Sequence, residues 1–228
     1  MTDKAYDANP MTQSGKRQSC PRCLRPLSTC LCAWVQVVSN QIELIILQHP
    51  LEVHQAKNTA RLLHLCLNNS QIHVGENFGP AFFKQLQNKE LNNNEQSTYD
   101  LLLYPETPEE KSLGINSPPL LDATKLLVDK NYQPIATLRL WVLDATWRKS
   151  RKMLYLNPEL QAMPRVKLHN PPVSGYSIRK AHSENQLSTL EASCYALQQL
   201  EEGRVDYKPV LQAFAAFIQQ QHTFIPSP

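Results

Sequence analysis

The sequence predicts an α/β protein: a mainly parallel sheet with helices on both faces, preceded by a small cysteine knuckle. Three observations carry this. Apolar runs of strand length alternate with stretches whose apolar residues recur every three or four positions. The clearest run, "TLRLWVLD" (Thr137–Asp144), is almost continuously apolar, as in a strand covered on both sides. Four cysteines fall within thirteen residues, "CPRCLRPLSTCLC".

Residues 1–15 are polar and aperiodic and are expected to be a disordered tail. The knuckle takes residues 16–36, and one α/β domain takes 37–228. Ile42–Gln48 ("IELIILQ") is the first buried strand. A helical stretch follows through "HPLEVHQAKNTARLLHLCL", where Val53, Ala56, Ala60, Leu63 and Leu67 share a face. "QIHVG" reads as a short strand and "AFFKQLQNKEL" as a short helix. "DLLLYP" is a further apolar run, stopped by Pro105. Residues 106–134 are proline-punctuated and loop-rich, with a weak helix expected near Leu120–Asp129. After the Thr137–Asp144 strand a helix is predicted from Thr146 to about Leu156, ending before Pro158. Residues 157–186 show little periodicity. Ser188 and Glu191 have capping-box spacing at the head of a helix with Leu190, Cys194 and Leu197 on one face. A last helix carries Val210, Phe214 and Phe217, with Pro209 in its first turn.

The spacing C-x2-C-x6-C-x-C of Cys20, Cys23, Cys30 and Cys32 lets four thiolates wrap one tetrahedral ion. Zn²⁺ suits such a site, with an iron–sulfur centre or a metal-free cluster as the alternatives. Four sulfurs leave no open position, so the ion is structural. Cys66 and Cys194 lie on apolar helix faces and read as packed thiols. No apolar run approaches the ~20 residues needed to span a bilayer, and the N-terminus lacks a signal-peptide pattern. The chain is therefore expected to be cytoplasmic, with no membrane partner, and to act as a monomer.

Net charge is only +3, but it is unevenly spread. Between Arg139 and His182 nine Lys/Arg face two carboxylates, an excess that suits a polyanion such as RNA. At ~100° per residue, Arg148, Lys149, Arg151 and Lys152 occupy one arc of the helix after Asp144. Trp147, Ser150 and Leu154 take the other side, so the indole is expected to be buried while the cations face a phosphate backbone. Asp144 itself is either a helix cap or a proton acceptor at the carboxyl end of a parallel strand.

The tetrapeptide "DATW" (144–147) matches a D-x-T-W signature, and six ordered blocks accompany it: "CPRCLRPLSTCLC", "LQHPLEVHQAKNTARLL", "LLYP", "LDATWRKSRKM", "PPVSGYSIRKA" and "LSTLEA". Together they resemble the DTW-domain family, and within it the bacterial tRNA-uridine aminocarboxypropyltransferases, from Cys20 to about Leu200. The resemblance implies a SPOUT-like domain with a trefoil knot. It implies transfer of a 3-amino-3-carboxypropyl group from S-adenosylmethionine to N3 of a tRNA uridine, position 47 of the variable loop in the best-known case. The absence of G-x-G-x-x-G and the presence of only six glycines agree with a pocket unlike the open dinucleotide fold.

On this reading Asp144, Thr146 and Trp147 are the catalytic candidates. Leu103, Tyr104, Pro105, Leu143, Asp144, Ser174, Tyr176, Ser188, Thr189 and Glu191 are expected around the cofactor. Ser188 and Glu191 retain their capping-box alternative. His49, Glu52, Asn58, Arg61, Arg148, Lys149, Arg151, Lys152, Arg179 and Lys180 are expected to meet RNA. The remaining alternatives are a knotted RNA methyltransferase and a non-catalytic zinc-knuckle RNA-binding protein.

Overall fold

A computed structural model describes residues 18–91, 98–105, 120–122, 137–172 and 187–224. Six strands form one sheet: β1 (Glu43–Gln48), β2 (Ser70–Val74), β3 (Thr98–Leu103), β4 (Leu120–Asp122), β5 (Thr137–Asp144) and β6 (Arg165–Lys167). Their order is β2-β1-β5-β3-β6-β4, and every neighbouring pair is parallel. The helices are α1 (Ala60–Cys66), α2 (Gly79–Leu91), α3 (Trp147–Leu156), α4 (Pro158–Ala162), α5 (Thr189–Leu200) and α6 (Lys208–Thr223).

Alternation along the adjacent interior strands β1 and β5 sends side chains into two cores. Leu44, Ile46, Leu140 and Val142 meet α1, α5, α6 and the cysteine knuckle. Ile45, Leu47, Trp141 and Leu143 meet Phe83 and Leu86 of α2, Met153 and Leu154 of α3, and Leu160 of α4. The α/β expectation, with helices covering both sheet faces, therefore holds. A trefoil knot would need the chain between β6 and α5 to thread a loop, and residues 173–186 of that connection lie outside the described set.

Three local expectations are corrected. The predicted helix over 49–67 forms only from Ala60; Pro50–Glu52 is a 3-10 turn, and the residues between are turns and irregular chain. Leu120–Asp122 is not the start of a helix but a strand, drawn into extended form by its ladder to β6. The stretch after Pro158, read as poorly periodic, contains α4 and β6. Pro158 sits in the first turn of α4, where a missing N–H is harmless. A three-residue strand such as β6 leaves no alternation to read.

The row at the other end of the sheet shows why one cation of the basic segment is internal. Glu43, Arg139 and Asp100 stand side by side on three strands. Arg139 donates to both Asp100 oxygens, at 2.6 and 3.1 Å, and Trp141 Nε1 donates to the same carboxylate at 2.7 Å. Arg139 is thus a buried sheet residue, and Arg165 is likewise buried, over the Tyr104 ring. Neither belongs to a phosphate-facing surface.

Candidate active site

From β1 the chain crosses through α1 to β2 on one side; from β5 it crosses through α3 and α4 to β6 on the other. Adjacent strands whose crossovers diverge leave a crevice at their carboxyl ends, where open parallel sheets place ligands. Gln48 and Asp144 are register partners at that point. By alternation both point to the face covered by α1 and α5. A cleft of ≈ 280 Å³ opens there, lined by Glu52, Gln55, Lys57, Asn58, Thr59, Asp144, Ala145, Thr146, Lys149, Ser188 and Thr189.

Asp144 lies on its floor, 6% exposed. Its Oδ2 accepts from Gln48 Nε2 at 2.9 Å and from Asn58 Nδ2 at 2.7 Å. Asn58 is held in that orientation because its own Oδ1 accepts from the Ala60 N–H at the start of α1. Burial raises the Asp144 carboxyl above its ordinary range. The bonds from Gln48, Asn58 and Thr189 oppose this, and the negative charge of Glu52 adds to it. The result is a desolvated carboxylate with one oxygen fixed by two amides and Oδ1 retaining capacity for a proton. The helix-cap alternative fails: the cap position of α3 is Thr146, and no side chain caps that end.

Two helix heads, α3 and α5, converge on the cleft through Thr146 and Thr189, so backbone N–H groups favour an anion there. At α5 the capping box forms as its spacing predicts: the Ser188 N–H donates to Glu191 Oε2 at 2.9 Å, and the Glu191 N–H donates to Ser188 Oγ at 3.2 Å. Ser188 and Thr189 face the cleft, whereas Glu191, 2% exposed, serves the cap. Leu103, Tyr104, Pro105 and Leu143 are not among the lining residues. Tyr104 packs beneath α3, with its hydroxyl 3.3 Å from Ser150 Oγ. Ser174, Tyr176, Arg179 and Lys180 lie outside the described residues.

The indole expected to be buried is not. Trp147 is 46% exposed and touches Tyr104 only by an edge, with centroids 6.1 Å apart. Roughly 2 kcal/mol of available burial is forgone, judged from the area of an indole. The core position passes to Met153 and Leu154.

The cation arc also divides. Lys149 Nζ donates to Glu52 Oε1 at 2.7 Å, and Lys152 Nζ donates to Glu76 Oε2 at 2.9 Å. Arg148 is exposed and Arg151 is half-buried. His49 is buried; its Nδ1 accepts from the Leu51 N–H, and its Nε2 lies 3.1 Å from Glu76. Lys152 and His49 hold Glu76 below the usual carboxylate range. Asn58 and Glu52, expected to meet RNA, line the cleft. Arg61 donates through Nε and a terminal NH2 to the Arg22 carbonyl. Gln48 went unnoticed in the sequence. Its signal was the register: it ends the first strand as Asp144 ends the strongest one.

In the knuckle the four sulfurs lie within 4.8 Å of one another. Cys20–Cys32 and Cys23–Cys30 are 3.6 and 3.7 Å apart. A tetrahedron with Zn–S bonds of ~2.3 Å has edges of about 3.8 Å, so the donor set fits a metal ion. Backbone N–H groups of Cys23 and Arg22 hold the Cys20 thiol down to about 6, while burial pushes Cys32 up to about 12. Thiols this close ionise together only around a cation. Cys66 and Cys194 are packed in the core, as expected. No described helix is long and apolar enough to cross a membrane.

A family model described as "DTW domain" matches residues 17–222. The chain is 29% identical over 220 residues to mouse tRNA-uridine aminocarboxypropyltransferase 2, covering 93% of this chain and 67% of that protein. It is 32% identical over 190 residues to the Drosophila melanogaster protein of the same name, covering 82% and 68%. Similarity to Arabidopsis thaliana tRNA-uridine aminocarboxypropyltransferase A reaches 28% over 150 residues, 61% of this chain and 51% of that one. These relatives are animal and plant proteins, where the sequence blocks suggested the bacterial branch. No solved structure matches the chain. A match that runs from the cysteine knuckle through the Asp144 cleft to the last helix places this chain in the DTW-domain family.

Proposed function

We propose that the protein modifies tRNA by transferring an aminocarboxypropyl group to a uridine, as the names of its relatives state for them. The observation that carries the reading is the desolvated Asp144 carboxylate on the floor of a cleft, within the D-x-T-W segment of a chain of this family. The acceptor atom is uracil N3 and the donor is S-adenosylmethionine, with methylthioadenosine released. Position 47 of the variable loop is the proposed target. S-adenosylmethionine, when bound, supplies a methylene carbon of its aminocarboxypropyl arm made electrophilic by the adjoining sulfonium.

The residues divide the work as follows. Asp144 receives the N3 proton at Oδ1 as the nitrogen becomes a nucleophile, and the amides of Gln48 and Asn58, bonded to Oδ2, hold the carboxylate in place. Thr146 offers a hydroxyl to a uracil carbonyl, and the half-exposed Trp147 ring offers a stacking face. Ser188, Thr189 and the head of α5 offer hydroxyls and backbone N–H groups to the polar end of the donor. Arg148 and Arg151, with Arg179 and Lys180, grip phosphates. Zn²⁺ is the proposed ion of the four-cysteine site, in a structural role. A SPOUT-like knot, a monomeric state and a cytoplasmic location complete the proposal.

Purified protein incubated with tRNA and S-adenosylmethionine should yield an aminocarboxypropyl-uridine by nucleoside mass spectrometry, together with methylthioadenosine. Release of S-adenosylhomocysteine with a methylated nucleoside would refute the transfer.

A further inference from the structure

An ion pair on the cleft wall has no evident structural task. Glu52 is 7% exposed, and its Oε1 is 2.7 Å from Lys149 Nζ. Among the described residues no other hydrogen bond reaches either head group. Toward the described residues Glu52 Oε2 thus keeps both lone pairs, and the ammonium keeps two N–H donors. A pair that joins a buried carboxylate to a half-buried ammonium adds little to stability, because desolvating Glu52 and solvent screening at Lys149 together offset most of the attraction. Both residues line the same cleft as Asp144.

We infer that Glu52 and Lys149 read the zwitterionic amino-acid end of the donor, the α-ammonium meeting Glu52 and the α-carboxylate meeting Lys149. This deepens the reading above and rests on it. An α-amino acid presents one positive and one negative group on a single carbon, the complement of two adjacent opposite charges. Anchoring that end beside Asp144 has a consequence for which group moves. The carbon chain attached to the anchored end lies next to the proton acceptor. The pair thus selects the aminocarboxypropyl arm over the methyl group by placement.

Calorimetric titration tests this with two ligands. Methylthioadenosine lacks the amino-acid arm, and decarboxylated S-adenosylmethionine lacks only the carboxylate. Wild-type protein should bind S-adenosylmethionine at least about tenfold tighter than the decarboxylated compound; equal affinity overturns the proposal. Glu52→Gln, Lys149→Gln and the exchange Glu52→Lys/Lys149→Glu should each weaken S-adenosylmethionine about tenfold or more and leave methylthioadenosine within about twofold. The exchange keeps an ion pair, so donor affinity retained there, or equal losses for both ligands, would show a structural role and overturn the inference. Wild-type protein that binds neither adenosine ligand refutes the donor assignment itself, which the product analysis above tests separately.

Discussion

Asp144 stands under two opposed demands. Burial favours its protonated form, while proton acceptance needs the ionised one. Its folded-state pKa lies above the unfolded value, so the native state binds the extra proton. Stability therefore falls as pH rises from the ordinary carboxylate range through the raised value, and activity rises over the same window. Asp144→Asn removes that cost and keeps an oxygen for Gln48 and Asn58. It should raise the melting temperature at neutral pH, on the order of 1 kcal/mol in stability, and lower turnover by about 10²–10⁴-fold. A melting temperature that drops, or turnover that survives, would remove the proposed role. Asn58→Ala should act differently. It deletes a donor to Asp144 and the acceptor for the Ala60 N–H, so the pH profile of turnover should move to higher pH as Asp144 becomes harder to ionise.

At the scale of elements, the knuckle and the cleft are joined. Arg25 donates to the Ala56 carbonyl at 2.6 Å, and Arg61 of α1 donates to the Arg22 carbonyl. The segment thus braced carries Gln55, Lys57, Asn58 and Thr59, all on the cleft wall. Elemental analysis should find one zinc per chain. Stripping it with a chelator should loosen residues 53–59 as well as the knuckle, read as faster hydrogen exchange in both segments. Helix α3 supplies the second elemental prediction. Lys152 is paired with Glu76, whereas Arg148 is exposed. Arg148→Ala should weaken tRNA binding and reduce the salt slope by about one unit; Lys152→Ala should do less, since its charge is already balanced nearby. Equal effects would show that the pairing does not persist in solution.

For the whole molecule, the knuckle shares its core with the sheet. Cys23 and Leu31 pack in the same apolar cluster as Leu44, Leu140 and Phe217. Unfolding of the metal-bound protein in denaturant should thus be one cooperative transition. Metal removal should shift its midpoint downward rather than release an early separate phase. Two resolved transitions would contradict this. The interior strands β1 and β5, covered on both faces, should carry the slowest-exchanging amides.

Alternating apolar runs and helical stretches sufficed for the α/β class, because burial on two sheet faces leaves a periodic trace in the chain. The four-cysteine spacing, the capping box and the D-x-T-W junction are equally local and were legible for the same reason. The strand order was not, since it depends on which strands pair across long separations. With it went Gln48, whose place beside Asp144 exists only through the β1–β5 register. The identity of the free cations was also decided in three dimensions. A sequence counts nine positive charges between Arg139 and His182. Only packing shows that Arg139 and Arg165 are buried and that Lys149 and Lys152 face carboxylates, because an ion pair needs proximity that no spacing along the chain encodes.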